Sequence, residues 1–128
     1  MQPLAGGDYH HAGIPVAGDE SLLCLDDIAG AVGRFQVVNI KLDKCGGLTE
    51  GLMMAAEARR LGLGVMVGTM VGTSLATAPG FVLGQLCDLV DLDGPTFLAS
   101  DRSPSVRYED GAIWAGPQVW GAPQSTLV

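Results

Sequence analysis

Residues 35–47 decide the fold, and they read Phe-Gln-Val-Val-Asn-Ile-Lys-Leu-Asp-Lys-Cys-Gly-Gly. The first six residues are mostly β-branched or aromatic, which is typical of a buried strand in a parallel sheet. Gly46-Gly47 supply a turn, and Thr49 can cap a helix that we expect to run to about Leu61. We expect that helix to face the sheet with Leu52, Met53, Ala56 and Leu61. The stretch therefore predicts a strand–helix unit with polar residues where the strand ends.

Three further segments repeat this pattern. Strands are predicted at 14–17, 64–67 and 87–92, and helices at 26–33 and 74–86. Each of the four strands ends in polar residues, at Gly18 to Ser21, Lys41 to Lys44, Gly68 to Ser74 and Asp91 to Gly94. In a barrel of alternating strands and helices such ends open into one cavity, but a closed barrel needs about eight strands. The sequence thus predicts an α/β fold with four strand–helix units, followed by a hairpin or an extended tail around Asp110-Gly111.

Composition narrows the class of protein. The chain is 48% hydrophobic and only 16% charged, so we expect much of its surface to be covered by the rest of the fold or by a partner. A net charge of −7 argues against nucleic-acid binding. No apolar run approaches the roughly 18 residues of a membrane span, and the first residues lack signal-peptide features, so a cytoplasmic location is expected. Cys24, Cys45 and Cys87 predict buried thiols rather than disulfides or a zinc site.

Two of the polar strand ends carry residues suited to a metal ion and to proton transfer. Asp19 and Glu20 should face opposite ways, so that one reaches the cavity as a magnesium ligand while the other packs laterally, although the same residues can also cap a helix. Lys41 follows a buried strand, where partial burial would suit a general base; the alternative is a solvated loop. Lys44 is expected to be exposed or supporting.

Asp91 and Asp93 alternate around Leu92, so both carboxylates should point to one side of the strand end. Two like charges held together need a cation or a donor. A substrate ammonium group is one candidate, and a lysine or arginine of the same fold is the other. His10 and His11 lie in a glycine-rich loop and are expected to be exposed rather than ligands.

Four segments together resemble the enolase superfamily, and within its muconate-lactonizing subgroup the dipeptide epimerases of the L-Ala-D/L-Glu type. They are Asp-Glu-Ser at 19–21, Asn-Ile-Lys-Leu-Asp-Lys-Cys-Gly-Gly-Leu-Thr-Glu at 39–50, Met-Val-Gly-Thr-Met-Val-Gly-Thr-Ser-Leu at 66–75 and Asp-Leu-Asp-Gly at 91–94. The resemblance covers about residues 1 to 120. It implies the C-terminal half of a modified TIM barrel over 1–100. It also implies a tail over 101–128 that would return to a capping domain.

The resemblance also implies roles for individual residues. Asp19 would be a Mg²⁺ ligand, with Glu20 and Lys44 supporting it, and Lys41 would be the acid/base lysine on one face of the substrate. Asp91 and Asp93 would grip the α-ammonium group of a small dipeptide. The implied reaction removes the proton α to the C-terminal carboxylate and returns it on the opposite face, through an enediolate stabilised by magnesium. Family members of full length are expected to be homo-oligomers.

The sequence differs from the family pattern in what it lacks. A second acid/base lysine, two further metal ligands and the capping domain have no counterpart, and Met1 stands before Gln2-Pro3 where the family usually has a metal-binding Glu. We therefore expect a C-terminal fragment that is inactive alone. The alternatives are a non-catalytic half-barrel that needs a partner, or another reaction of the superfamily, such as o-succinylbenzoate synthesis or cycloisomerisation, whose substrates carry no ammonium group.

Overall fold

The computed structural model describes residues 13–120. Its main sheet has four parallel strands whose order in space equals their order along the chain. The strands are β1 (Ala17–Gly18), β2 (Val37–Lys41), β3 (Gly64–Gly68) and β4 (Leu89–Asp91). This confirms the expected α/β fold, although β1 lies slightly later than 14–17 and β4 is shorter than 87–92.

Helical segments follow each strand. A 3-10 helix, Leu25–Ala31, follows β1; α1 (Leu42–Cys45) and α2 (Leu48–Arg60) follow β2; α3 (Ser74–Gly84) follows β3; and a 3-10 turn, Gly94–Phe97, follows β4. The first was predicted as a short helix at 26–33, and it lies slightly earlier and is of the 3-10 type. It begins where the Asp27 carboxylate accepts hydrogen bonds from the backbone N–H groups of Leu23 (2.8 Å) and Cys24 (3.0 Å). These bonds satisfy donors that a helix start leaves unpaired.

Helix α2 packs on the core with only part of the predicted face, since Leu52 and Leu61 are partly buried against it but Ala56 is exposed. The buried residues are Gly51, Met54, Ala55 and Ala58, whereas Met53 is 47% exposed. A small residue is required at position 51 because α2 lies very close to α1: a Cβ on Gly51 would stand 2.5 Å from Leu42 Cδ2. The predicted cap at Thr49 was also wrong, since the helix begins at Leu48 after Gly47 without a side-chain cap.

The two middle strands form the core of the sheet, and β4 forms an open edge. Val38, Ile40, Val65 and Val67 are fully buried, as expected for parallel strands covered by helices. By contrast, Leu89 is 52% and Val90 49% exposed. Successive strand residues point to opposite faces, so both faces of β4 lack cover within the described part of the chain. The predicted need for further protein is consistent with this edge.

Of the two forms predicted for the region around Asp110-Gly111, the hairpin is the one that the structure shows. Strands β5 (Arg107–Glu109) and β6 (Ala112–Trp114) pair antiparallel, and Asp110 and Gly111 turn the chain with φ of 52° and 73°. Those left-handed values are what an Asp-Gly hairpin turn requires. Val106 and Val119, on either side of the hairpin, are buried against Ala78 of α3. The division of the chain at residue 100 stays a prediction.

The three cysteines are free. Cys45 is buried as predicted, but Cys24 and Cys87 are only half-buried. Burial raises the pKa of the Cys87 thiol to about 11, so that group is protonated near neutral pH. Between residues 13 and 120, no helix has the length and apolar character needed to cross a membrane.

Candidate active site

The carboxyl ends of β2, β3 and β4 place three residues in one row. Lys41 stands opposite Gly68, and Gly68 stands opposite Asp91. Adjacent strands are about 4.8 Å apart, so the backbones at Lys41 and Asp91 are separated by roughly 10 Å. Gly68 makes room for its neighbours, because a Cβ there would lie 2.9 Å from Asn39 Oδ1 and 3.2 Å from Lys41 Cε. The row therefore holds a lysine and a carboxylate at a fixed separation.

Asp19 is the centre of a carboxylate–lysine cluster, which we define as Asp19, Glu20, Asn39, Lys41 and Lys44. The Asp19 Oδ2 atom is 2.8 Å from Lys41 Nζ and accepts a hydrogen bond from Asn39 Nδ2 at 3.2 Å. The Oδ1 atom accepts from Lys44 Nζ at 3.0 Å, and Lys44 Nζ also donates to Glu20 Oε1 at 2.8 Å. Both lysine side chains are only 14% exposed. The cluster thus joins the end of β1 to the end of β2.

The cluster shifts the pKa of two of its members. Partial burial alone would raise the pKa of Asp19, but hydrogen bonds and positive charge from Lys41 and Lys44 outweigh it and hold the pKa below its usual value. Burial alone would lower the pKa of Lys44, but its bonds to Glu20 and Asp19 raise it instead. Asp19 therefore stays ionised, and Lys44 stays protonated, over a wide pH range.

Two predictions about this cluster were wrong. Asp19 and Glu20 do not face opposite ways, since both contact the same ammonium group of Lys44. The reason is that β1 ends at Gly18, so the alternation of a strand does not extend to them. Glu20 is not packed laterally either, because its side chain is 81% exposed. Lys44 was expected to be exposed or supporting; it is largely buried and contacts both carboxylates, as a support would.

Asp91 and Asp93, the aspartate pair, lie next to one another as predicted. Partial desolvation raises the pKa of Asp91, and the charge and hydrogen bonding of Asp93 raise it further, while the positive charge of Lys41 acts in the opposite direction. The influence of Lys41 shows that the row places the lysine within electrostatic reach of the pair. Leu92, between the two aspartates, is buried at 1% exposure.

Sequence reasoning overlooked three residues that shape the site. Asn39 donates to Asp19, and its position two residues before Lys41 on the same strand face was a usable signal. Asp43 accepts a hydrogen bond from the Met70 backbone N–H at 3.0 Å, which ties the loop after β3 to α1. Tyr108, from the hairpin, donates to the Leu92 carbonyl oxygen at 2.7 Å. No local pattern predicts this last contact, because its partners are remote in sequence.

The structure offers part of a metal site. Asp19 provides the hard carboxylate oxygens that Mg²⁺ prefers. However, between residues 13 and 120 no group of three or more His, Cys, Asp or Glu side chains converges in a way that could hold a metal ion. The carboxylate of Asp19 suits a hard metal ion, but such a site would need further ligands from outside residues 13–120. The predictions for Gln2-Pro3, His10 and His11 lie outside the described residues.

Comparison with protein families gives one clear assignment. The model of the enolase C-terminal domain-like family matches residues 1–118. The chain belongs to this family. Among curated relatives, the N-acetyl-D-glutamate racemase of a Pseudoalteromonas species is 41% identical over 127 residues, covering 90% of this chain and 40% of the relative. The L-Ala-D/L-Glu epimerase of Escherichia coli is 42% identical over 100 residues, covering 78% of this chain and 31% of the relative.

Solved structures of family members have the same fold. An enolase family member from Agrobacterium tumefaciens, with homology to dipeptide epimerases and with bound sodium and L-Ala-L-Glu, superposes with a TM-score of 0.81 at 48% identity. It matches 94% of this chain and 39% of its own. The dipeptide epimerase of Methylococcus capsulatus, complexed with Mg and L-Arg-D-Lys, gives 0.70 at 34% identity, covering 76% and 29%. The chain thus spans about three to four tenths of these relatives' lengths.

Proposed function

We propose that this chain supplies one part of the active site of a magnesium-dependent dipeptide epimerase. The observation that carries the proposal is that Asp19, Lys41 and the aspartate pair all lie at the carboxyl ends of the strands. Asp19 contacts Lys41, and Lys41 and Asp91 stand in the same row. These groups suit a dipeptide substrate, because they offer a carboxylate to a metal ion, a lysine for proton transfer and an anionic pair to an ammonium group. The epimerase relatives, and the neighbours bound to dipeptides, support this reading.

Each residue has a defined task in this proposal. Lys41 takes the proton from the α-carbon of the C-terminal residue, or returns it, on one face of the substrate. Asp91 and Asp93 accept hydrogen bonds from the α-ammonium group and orient the dipeptide. Asp19 offers oxygen to Mg²⁺, held in place by Lys44, and Glu20 holds Lys44. Bound magnesium would stabilise the negative charge that develops on the substrate carboxylate.

The chain alone cannot complete this reaction. Inversion requires an acid and a base on opposite faces of the α-carbon, and Lys41 serves one face only. The other lysine and the other metal ligands must come from protein outside the described residues. We therefore propose that residues 1–100 form half of a barrel and that 101–128 lead to a capping domain, and we expect the purified chain to be inactive. Epimerisation of L-Ala-L-Glu by the chain alone would overturn that expectation.

A second candidate is racemisation of an N-acetylated amino acid, which the name of the Pseudoalteromonas relative suggests. The two substrates differ where the aspartate pair would act. A dipeptide presents a positive ammonium group, whereas an N-acetyl group is neutral and provides one amide N–H. Two adjacent carboxylates favour the charged group. For this reason we place the dipeptide first.

The function can be tested in a chimera. In the Escherichia coli L-Ala-D/L-Glu epimerase, everything that follows the metal-binding Glu expected before Gln-Pro is replaced by residues 2–128, so that Met1 does not take the place of that ligand. Far-UV circular dichroism and a cooperative thermal transition establish that the chimera folds. The assay then measures epimerisation of L-Ala-L-Glu and of N-acetyl-L-glutamate with Mg²⁺. We expect activity on the dipeptide; a folded chimera that acts only on the N-acetyl substrate would favour the second candidate, and one inactive on both would refute the proposal.

The Lys41→Met variant of the chimera tests the task of the lysine. We expect epimerisation to fall by about two to four orders of magnitude, the usual loss of a general acid or base. In D₂O, the base on the opposite face should still exchange the α-proton of one epimer and not of the other. The Arg34→Met variant is the control, because Arg34 is exposed and remote from the row. Equal exchange of both epimers in Lys41→Met would contradict the one-face assignment.

We also propose a cytoplasmic location for the protein. Three free cysteines fit the reducing conditions of the cytoplasm, where thiols persist. Assembly of the intact enzyme into homo-oligomers remains a prediction.

A further inference from the structure

The hairpin formed by β5 and β6 contacts the backbone between the two members of the aspartate pair. Tyr108 donates its hydroxyl to the Leu92 carbonyl oxygen at 2.7 Å. The Leu92 side chain is buried at 1% exposure, so this residue is held from both its side chain and its backbone. The orientation of that peptide sets where the Asp93 carboxylate points relative to Asp91.

The hairpin is itself fixed to the body of the protein. The Asp101 carboxylate accepts hydrogen bonds from the backbone N–H and the hydroxyl of Ser74, at the start of α3. The Ser74 hydroxyl oxygen accepts from the Val106 N–H at 2.9 Å, and Arg102 Nη1 donates to the Val119 carbonyl oxygen at 2.8 Å. Ser74 is fully buried, so its bond with the Val106 amide is shielded from water, and the bonds of Asp101 and Arg102 are partly buried. The root of the hairpin therefore cannot move without breaking these bonds.

A tether at Leu92 opposes the repulsion within the pair. Asp93 lies close enough to raise the pKa of Asp91, and the two carboxylates repel each other when both are ionised. From this geometry we infer that Tyr108 is a positioning residue for the aspartate pair, so that the C-terminal hairpin takes part in recognising the amino group of the substrate. The inference rests on the proposed function for the meaning of the pair. The contact itself is a property of this chain.

The first experiment uses the 128-residue chain. The Tyr108→Phe variant removes only the hydroxyl and keeps the ring. In ¹⁵N-resolved spectra we expect the amide signals of Asp93 and Gly94 to shift and their hydrogen exchange to become about three- to tenfold faster, the loss of one hydrogen bond. The control is Trp114→Phe, because Trp114 lies on the same hairpin and is 55% exposed. Unchanged Asp93 and Gly94 signals in Tyr108→Phe would overturn the inference.

The second experiment uses the chimera described above. Tyr108→Phe should raise the KM for L-Ala-L-Glu about three- to tenfold and leave kcat within about twofold, because a misplaced pair weakens binding without touching Lys41. A purely structural contact would instead lower the melting temperature and the amount of active enzyme while KM stayed constant. The inhibition constant of N-acetyl-L-Ala-L-Glu, which lacks the ammonium group, should not change.

The outcomes separate the two proposals. If the unmodified chimera is inactive, the proposed function fails, and the role of the pair in substrate binding fails with it. If the unmodified chimera is active and Tyr108→Phe keeps its KM, only the present inference fails. The inference would also be refuted if Tyr108→Phe raised both the KM for the dipeptide and the inhibition constant of the acetylated dipeptide. The effect would then not depend on the ammonium group.

Discussion

Replacing Asp19 by asparagine should destabilise the chain in a way that depends on pH. The substitution keeps the shape of the side chain and one carbonyl oxygen but removes the negative charge. Lys41 and Lys44 then face each other without their shared counterion, and both are only 14% exposed. Glu20 remains near Lys44, but it is 81% exposed and lies mostly in water. The variant therefore leaves two partly buried positive charges with little compensation.

The size of the effect follows from burial. Exposed ion pairs contribute up to about 1 kcal/mol, and removing one partner of a fully buried pair costs about 3–5 kcal/mol. Asp19 is 32% exposed, between these limits. We therefore expect the free energy of unfolding to fall by about 1–3 kcal/mol at pH 7. The matched control is Asp26→Asn, because Asp26 is exposed in the first turn of the 3-10 helix and should contribute only about 0.3–1 kcal/mol.

The pH dependence gives a stricter test. The pKa of Asp19 is lower in the folded state than in the unfolded chain, so its contribution is present above about pH 4 and is lost as the pH falls through the folded pKa. The pKa of Lys44 is raised, so its contribution is lost only at strongly alkaline pH. The difference between wild type and variant should therefore be full at pH 7 and clearly smaller at pH 2.

Urea unfolding followed by circular dichroism at these two pH values measures both quantities. A variant as stable as wild type at pH 7 would show that the cluster contributes nothing. An equal loss of stability at pH 7 and pH 2 would show that the effect comes from packing and not from charge. Either result would refute the electrostatic account of the cluster.

Two other substitutions test the geometry around the site. In Gly68→Ala the new Cβ would lie 2.9 Å from Asn39 Oδ1, so we expect the free energy of unfolding in urea to fall by about 1–3 kcal/mol. The control is Gly30→Ala, whose Cβ would meet nothing within 4 Å, so its stability should be unchanged or slightly raised. Equal effects of the two substitutions would contradict the steric conflict inferred at Gly68. In Asp101→Asn the Val106 amide hydrogen should exchange faster than in wild type at pH 7. Because the hydrogen bond from Ser74 lowers the pKa of Asp101, the exchange rate of wild type should approach that of the variant only below about pH 4. A difference in rate that does not depend on pH would show that the charge of the Asp101 carboxylate does not hold the hairpin.

The sequence predicts the architecture better than it predicts contacts. The parallel strands and the Asp-Gly hairpin follow from β-branched runs and turn residues, which act locally. The buried face of α2 was predicted only in part, because its close approach to Leu42 of α1 requires a glycine at position 51, and the distance between two elements is not a local property. Periodicity in apolar size misses a face made of small residues.

In the candidate site, too, features that depend on the local sequence were predicted better than contacts between distant elements. Lys41 and the aspartate pair were placed correctly relative to their strand ends, since strand polarity alone determines that. The orientation of Glu20 was wrong because β1 ends before it. Tyr108 was missed because its contact with Leu92 depends on how the hairpin packs on α3, which no spacing along the chain encodes.

The order of the strands has a consequence for how the chain folds. Each strand of the main sheet pairs only with the strand that precedes or follows it along the chain. Each new unit can therefore add to a template that is already formed, and no strand has to wait for a distant partner. The unit from β2 through α2 to β3 contains the fully buried strand residues, so we expect it to form early in folding. We expect the row of Lys41, Gly68 and Asp91, which spans β2 to β4, to form only once β4 has docked on that unit.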